Sequence, residues 1–259
     1  REAAQTLNTA QRIWPGDARI YMLAGLMAEK SGNLKGALEA MRKSVAAAPD
    51  WSPGLLELAL LLARQNQFKE AVETAEKVAA LEPKNLMVLA GVVDIAHRAG
   101  HKEMAIKHLR RGLVLVPGDL QLSQLLAQDL SALNQHEEAL QLWTALIEAN
   151  PKNEPALLGR VKTLLAAGKP AKAVADTTTL LALAPGDSVY AYYNALAHGI
   201  TPAHQPVELN RQLFDGMAEV YDQHTVRGLR YQLPKIVGDK ILARYPEKRS
   251  EEHTSELQS

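Results

Sequence analysis

Pro15, Pro49, Pro83, Pro117, Pro151 and Pro185 recur at one interval of 34 residues. A fixed period of that length marks stacked supersecondary units, each exposing an apolar face that only its neighbour covers. Ala37, Ala71, Ala105, Ala139 and Ala173 keep the same interval, and Ala3 continues it backwards. An alanine recurring once per unit fits a point where two helix backbones cross closely. A longer side chain there overpacks the contact, at a cost of about 1–3 kcal/mol. Gly25, Ala59, Val93, Ala127, Val161 and Ala195 form a second column of small or short residues, the expected partner surface.

Midway through each unit stands Gly32, Asn66, Gly100, Asn134 or Gly168. Glycine and asparagine tolerate the left-handed backbone that ends a helix. Two residues after five of the ladder prolines come Asp17, Asn85, Asp119, Asn153 and Asp187, which can accept from the free amides of a new helix. Trp51 takes that place once, where Ser52 before Pro53 is expected to cap instead. Each unit therefore predicts a helix, a Gly/Asn stop, a second helix, then a proline stop and cap.

Paired helices of this length, with small residues at the crossings and a proline closing the second, resemble the tetratricopeptide repeat. The resemblance covers five repeats over 18–187, a preceding second helix within 1–17 and a capping first helix within 188–199. It implies an all-α, right-handed superhelical solenoid of antiparallel helix pairs. Ser123 and Arg160 depart from the pattern, standing where large apolar residues are usual. Apolar spacing agrees with helix throughout, as in Leu55, Leu58, Leu61 and Leu62.

The scarcity of aromatics, 5% of the chain, suits helix pairs packed through Ala and Leu. Lys and Arg number 29 against 29 Asp and Glu, so no global field draws nucleic acid or an anionic membrane. No apolar run approaches the roughly 18 residues needed to span a bilayer. Cysteine is absent, which excludes disulfides and thiolate metal sites, and a cytoplasmic location is the expectation. The chain opens at Arg1 within what reads as the second helix of a partial unit, leaving an upstream leader open.

No glycine-rich phosphate loop, nucleophile elbow or zinc-protease signature occurs. His97 and His101 have one-turn spacing, but Gly100 lies between them at a helix stop, so both read as loop histidines without a metal. Lys107, His108, Arg110 and Arg111 read as a solvated basic run on a second helix. In the tetratricopeptide family the first helices line a concave groove that takes a protein or peptide partner. By that register the groove carries Arg19, Met22, Leu26, Leu56, Leu60, Asp94, His97, Gln121, Gln124, Gln128, Leu158 and Lys162. Asp94, Gln124, Gln128 and Lys162 are the candidate peptide-contacting residues, with no catalytic residue and no metal ligand proposed. The paired Lys and Asn that hold acidic chaperone tails in some members are absent.

The period fails after Ala195, and 200–206, with Pro202 and Pro206, reads as a linker. Amphipathic helices are expected over 207–224 and 234–244. Within the first, Phe214, Asp215, Ala218, Tyr221 and Asp222 resemble the FDxxAxxYD-like entry helix of methyltransferases that use S-adenosylmethionine and carry N-terminal tetratricopeptide repeats. The resemblance implies that 207–248 is the truncated start of such a domain. Tyr221 would then lie near the cofactor in a full-length parent, while this chain itself would hold no cofactor. The alternative is a stand-alone adaptor whose last helices cap the solenoid. Residues 249–259, RSEEHTSELQS, resemble a translated sequencing adapter and are expected to be non-native.

Overall fold

The computed structural model describes residues 2–211. Its helices are α1 Glu2–Ile13, α2 Ala18–Lys30, α3 Leu34–Ala47, α4 Ser52–Arg64, α5 Phe68–Leu81, α6 Leu86–Arg98, α7 Lys102–Leu115, α8 Leu120–Ala132, α9 His136–Ala149, α10 Glu154–Ala166, α11 Pro170–Leu183 and α12 Ser188–Ala197. The described residues contain no strand. The chain divides into Arg1–Thr201 and Pro202–Ser259. Of the second unit only 202–211 is described, with 207–211 helical. The expected helix over 234–244, Tyr221 and the tail 249–259 lie outside the described residues.

The Gly/Asn stops reverse the chain as their chemistry requires. Gly32, Asn66, Gly100, Asn134 and Gly168 all have positive φ, between 58° and 79°. At the first of them the Asn33 amide donates to the Ala28 carbonyl at 2.9 Å and the Gly32 amide to Glu29 at 2.9 Å. That pair of bonds satisfies carbonyls a helix end leaves free, and it recurs at Gln67 to Leu62, His101 to Ala96, Gln135 to Leu130 and Lys169 to Leu164. Gly199 (φ 74°) ends α12 in the same way, with Ile200 donating to Ala195. It arrives three residues before the frame calls for a stop, so α12 has 10 residues where the other first helices of full units have 13.

Asp17, Asn85, Asp119, Asn153 and Asp187 each accept from an amide of the helix they open. The exception corrects the sequence reading. Ser52 is the first residue of α4 rather than its cap, Trp51 makes no capping bond, and Pro53 supplies the preset φ of the first turn. The Ser52 hydroxyl bonds the Glu82 carboxylate instead and helps hold its pKa down.

Each first helix packs on its own second helix, and each second helix on the first helix of the next unit. First helices also stack on one another, α2 on α4, α4 on α6, α8 on α10 and α10 on α12, while α6 meets α8 more slightly. At that slighter joint the His97 Nε2 and Asp129 carboxylate meet at 2.7 Å. Ala37, Ala71, Ala105, Ala139 and Ala173 are all completely buried. In the facing column Gly25, Ala59, Val93, Ala127 and Val161 are buried, while Ala195 near the shortened end of α12 is only partly so.

Bulk varies around this frame by compensation. The Trp143 indole of α9 lies so close to Gly159 of α10 that a Cβ there would sit 2.6 Å from the ring. Arg160, out of pattern in sequence, makes a two-point ion pair with Asp176 of α11, at 2.6 and 2.8 Å, and donates to the Thr144 hydroxyl of α9. Asp176 is only 4% exposed, so the guanidinium satisfies a carboxylate that would otherwise be stranded.

Ala105→Leu is expected to destabilise the solenoid by about 1–3 kcal/mol, because the extra methylenes have nowhere to go. Lys102→Ala, at the edge of the same helix, should stay within about 0.5 kcal/mol. Denaturant unfolding followed by circular dichroism checks both.

Candidate functional site

The column containing three of the four candidate residues changes character along the chain: Leu26, Leu60, Asp94, Gln128, Lys162. In the N-terminal units the aliphatic side chains expected to line a groove are taken up by packing. Met22, Leu26, Leu56 and Leu60 are partly buried against the core. Leu56 of α4 also covers the bare backbone at Gly91 of α6, where a Cβ would lie 2.8 Å from its Cδ1. Arg19 is drawn back to its own helix start by Asp17, at 2.6 Å. Asp94 is exposed on α6 and pairs with Arg98 one turn on. Gln124 is half-buried on α8.

Further along, Gln128 and Lys162 border one cavity of about 690 Å³ with Trp143, Glu154, Pro155, Leu158, Gly159 and Tyr190. Its walls come from α8, α10 and α12, all first helices, and the Trp143 indole reaches it from α9 behind. The indole is fixed at its polar edge, where Nε1–H donates to the Thr163 hydroxyl at 3.2 Å. Thr163 in turn lies 2.8 Å from the Ser131 hydroxyl, so one hydroxyl pair joins α8 to α10 beneath the cavity.

At one end the Tyr190 hydroxyl donates to the Glu154 carboxylate at 2.6 Å. Burial, reinforced by that carboxylate, pushes the phenol pKa up to about 12. At the other end the Lys162 amine stands 5.5 Å from the centre of the Tyr193 ring, within cation–π range. Although Lys162 is exposed as a whole residue, crowding of its amine by the walls pushes its pKa down. Tyr193 is set edge-on to Tyr192, with centroids 5.5 Å apart.

The histidines and the basic run are placed differently from their sequence reading. His97 is not a loop residue but sits on α6 against Asp129. His108 is completely buried, 3.3 Å from Glu76, and burial lowers its pKa. Lys107 and Arg110 are exposed and paired with Glu76 and Glu138, while Arg111 donates to the carbonyls of Ala79 and Pro83. A run of consecutive residues on a helix points round the axis, so it could not share one solvated face. The described residues include no group of three or more His, Asp or Glu that could hold a metal. None of their helices is long and apolar enough to cross a membrane.

Trp143, Glu154 and Tyr190 were not candidates from sequence. Tyr190 occupies the column of Ile20, Val88, Leu122 and Ala156, which reads as core. Its hydroxyl, and the run Tyr190, Tyr192 and Tyr193 in an aromatic-poor chain, were the available signals.

These features define a solenoid of stacked helix pairs with a ligand-sized cavity on its first-helix face. The chain belongs to the tetratricopeptide repeat family, whose model matches residues 1–50, 56–119 and 125–188. Its fold is similar to that of YrrB, described as a TPR protein with an unusual peptide-binding site. The TM-score is 0.61 at 16% identity, over 75% of this chain and 98% of that one. MamA has a similar fold, at a TM-score of 0.56 and 19% identity, over 73% of this chain and 98% of that one. PilF of Pseudomonas aeruginosa does too, at 0.54 and 19%, over 75% and 89%. No curated protein sequence matches.

The Tyr190 phenol gives the site an alkaline signature. A phenol whose pKa is raised on folding contributes stability that is complete below its unfolded value near 10 and lost as pH rises through about 12. Titration of tyrosinate absorbance should therefore show a late component that disappears in Tyr190→Phe and moves to lower pH in Glu154→Gln.

Proposed function

We infer that this chain is an interaction scaffold that holds an extended segment of a partner protein against its first-helix face. Contact would centre on Gln128 and Lys162, with Gln124 one turn away on α8, while Asp94 lies further off on α6. The observation that carries this reading is the cavity of about 690 Å³ between α8, α10 and α12. A concave, largely apolar space with a few fixed polar groups is what a ligand site requires. Along the N-terminal first helices the equivalent positions are aliphatic and partly buried, whereas the polar and charged groups gather in the C-terminal units, which favours these as the place of contact. The peptide-binding site ascribed to YrrB supports a peptide as ligand class by analogy of fold.

A second reading concerns what the scaffold serves. Phe214, Asp215, Ala218, Tyr221 and Asp222 support a full-length parent in which the repeats precede a methyltransferase domain using S-adenosylmethionine, with Tyr221 near that cofactor. Reading the gene past the codon for Lys248 tests it. A hydrophobic strand followed by a glycine-rich turn is expected, and a further repeat there would remove this reading and leave the adaptor.

Panning a displayed peptide library on the protein tests the first reading. Selected peptides should lose binding by about tenfold or more to the double variant Gln128→Ala, Lys162→Glu, as removal of central contacts does. Binding to Lys69→Glu, on a second helix, should be unchanged. Peptides that bind the double variant as well as the parent would place the interaction elsewhere.

A further inference from the structure

The cavity carries two opposite charges that are not paired to one another or to any other charged residue among the described residues. Glu154 opens α10 and Lys162 lies on the same helix eight residues later, so their backbones are separated by about 12 Å along the axis. That is too far for mutual pairing. The Glu154 carboxylate accepts one bond, from Tyr190, and has no cationic partner among the described residues. The Lys162 amine faces the Tyr193 ring and has no carboxylate partner there either.

The solenoid elsewhere joins many such groups. Glu29 pairs with Arg64, Arg42 with Glu70, Lys107 with Glu76, Arg110 with Glu138 and Arg160 with Asp176. At the cavity, by contrast, each charge is set in place by an aromatic residue of α12, Tyr190 at one end and Tyr193 at the other. Tyr190 uses one lone pair of the carboxylate and leaves the rest open to an incoming donor. A lysine crowded by apolar walls gains most from a carboxylate brought to it, since the same walls reduce screening of the new pair.

Building on the scaffold reading, we propose that the α8–α10–α12 cavity selects an extended peptide bearing a carboxylate for Lys162 and a cationic side chain for Glu154, three or four residues apart. The separation follows from geometry, because an extended chain advances about 3.3–3.6 Å per residue and covers about 12 Å in three to four steps. Between the two ends the peptide crosses Leu158, Gly159 and Pro155, with the buried Trp143 indole packed beneath Gly159. Gln128, on the facing wall, offers an amide that can both donate to and accept from a peptide backbone. The carboxylate could be an acidic side chain or a chain terminus, two sources that amidation of the probe separates.

The test uses fluorescein-labelled nine-residue peptides on one common background sequence, the first three acetylated and amidated, read by fluorescence polarisation against the whole chain. One peptide carries Glu and Lys four residues apart, a second carries them adjacent, and a third replaces both by Gln. A fourth, with a free C-terminus and no Glu, places its terminal carboxylate four residues from Lys. The proposal expects the first or the fourth to bind about tenfold more tightly than the second and third. It also expects Lys162→Gln to abolish the advantage of the carboxylate and Glu154→Gln that of the lysine. Tyr190→Phe, which frees Glu154 without removing its charge, should retain the preference. Equal binding of the charged and Gln peptides would overturn the charge pattern while leaving a peptide groove in place. Failure of every probe, together with failure of the library to yield any cavity-dependent peptide, would overturn the scaffold reading as well.

Discussion

Each unit turns on a single backbone torsion. A first helix can fold back against its second only if the chain reverses within three residues, and that reversal uses a residue with positive φ. Gly32, Asn66, Gly100, Asn134 and Gly168 provide it, and the same two backbone bonds close the helix end each time. With the stop fixed, helix lengths repeat at 13 and 14 residues, and the alanine column returns to the same crossing in every unit. Where the stop moves, as at Gly199, the helix shortens and the small column loses its full burial.

The constancy of this frame leaves room for change between its fixed points. In the fourth unit Trp143 stands where the first three units have Met41, Ala75 and Leu109 and the fifth has Thr177, and Gly159 of the fifth makes way for it. Arg160 and Asp176 replace apolar packing with a buried ion pair. Such a pair owes little to net stability, because removing two charges from water costs about as much as their attraction returns. It does fix α10 against α11, and the hydroxyls of Ser131 and Thr163 fix α8 against α10. The cavity thus lies over a polar framework of defined geometry, in which the buried Trp143 indole N–H donates to the hydroxyls of both Thr163 and Ser131.

The sequence made the architecture legible because period, stop and cap are local properties that five units repeat. The position of Gln128 and Lys162 on first helices followed from register alone, and there they border one cavity. Trp143, Glu154 and Tyr190 were not legible, because their roles depend on departures from the repeat. Trp143 comes from a second helix, and Tyr190 reads as core until its hydroxyl is seen to reach Glu154. The basic run misled because adjacency in sequence is not adjacency on a helix: His108 is buried while Lys107 beside it is exposed. Ser52 misled because a serine before a proline suits either the cap or the first turn, and its hydroxyl bonds Glu82 rather than an amide of its own helix.

We infer that partner binding is concentrated on the first helices of the last units. Backbone amide chemical-shift mapping during titration with a library-selected peptide tests it most directly. The largest shifts are expected on α8, α10 and α12, at Gln128, Leu158, Lys162 and Tyr190 and their neighbours, with α3 and α5 unmoved. Shifts concentrated on the second helices, or on α2 and α4 alone, would contradict it.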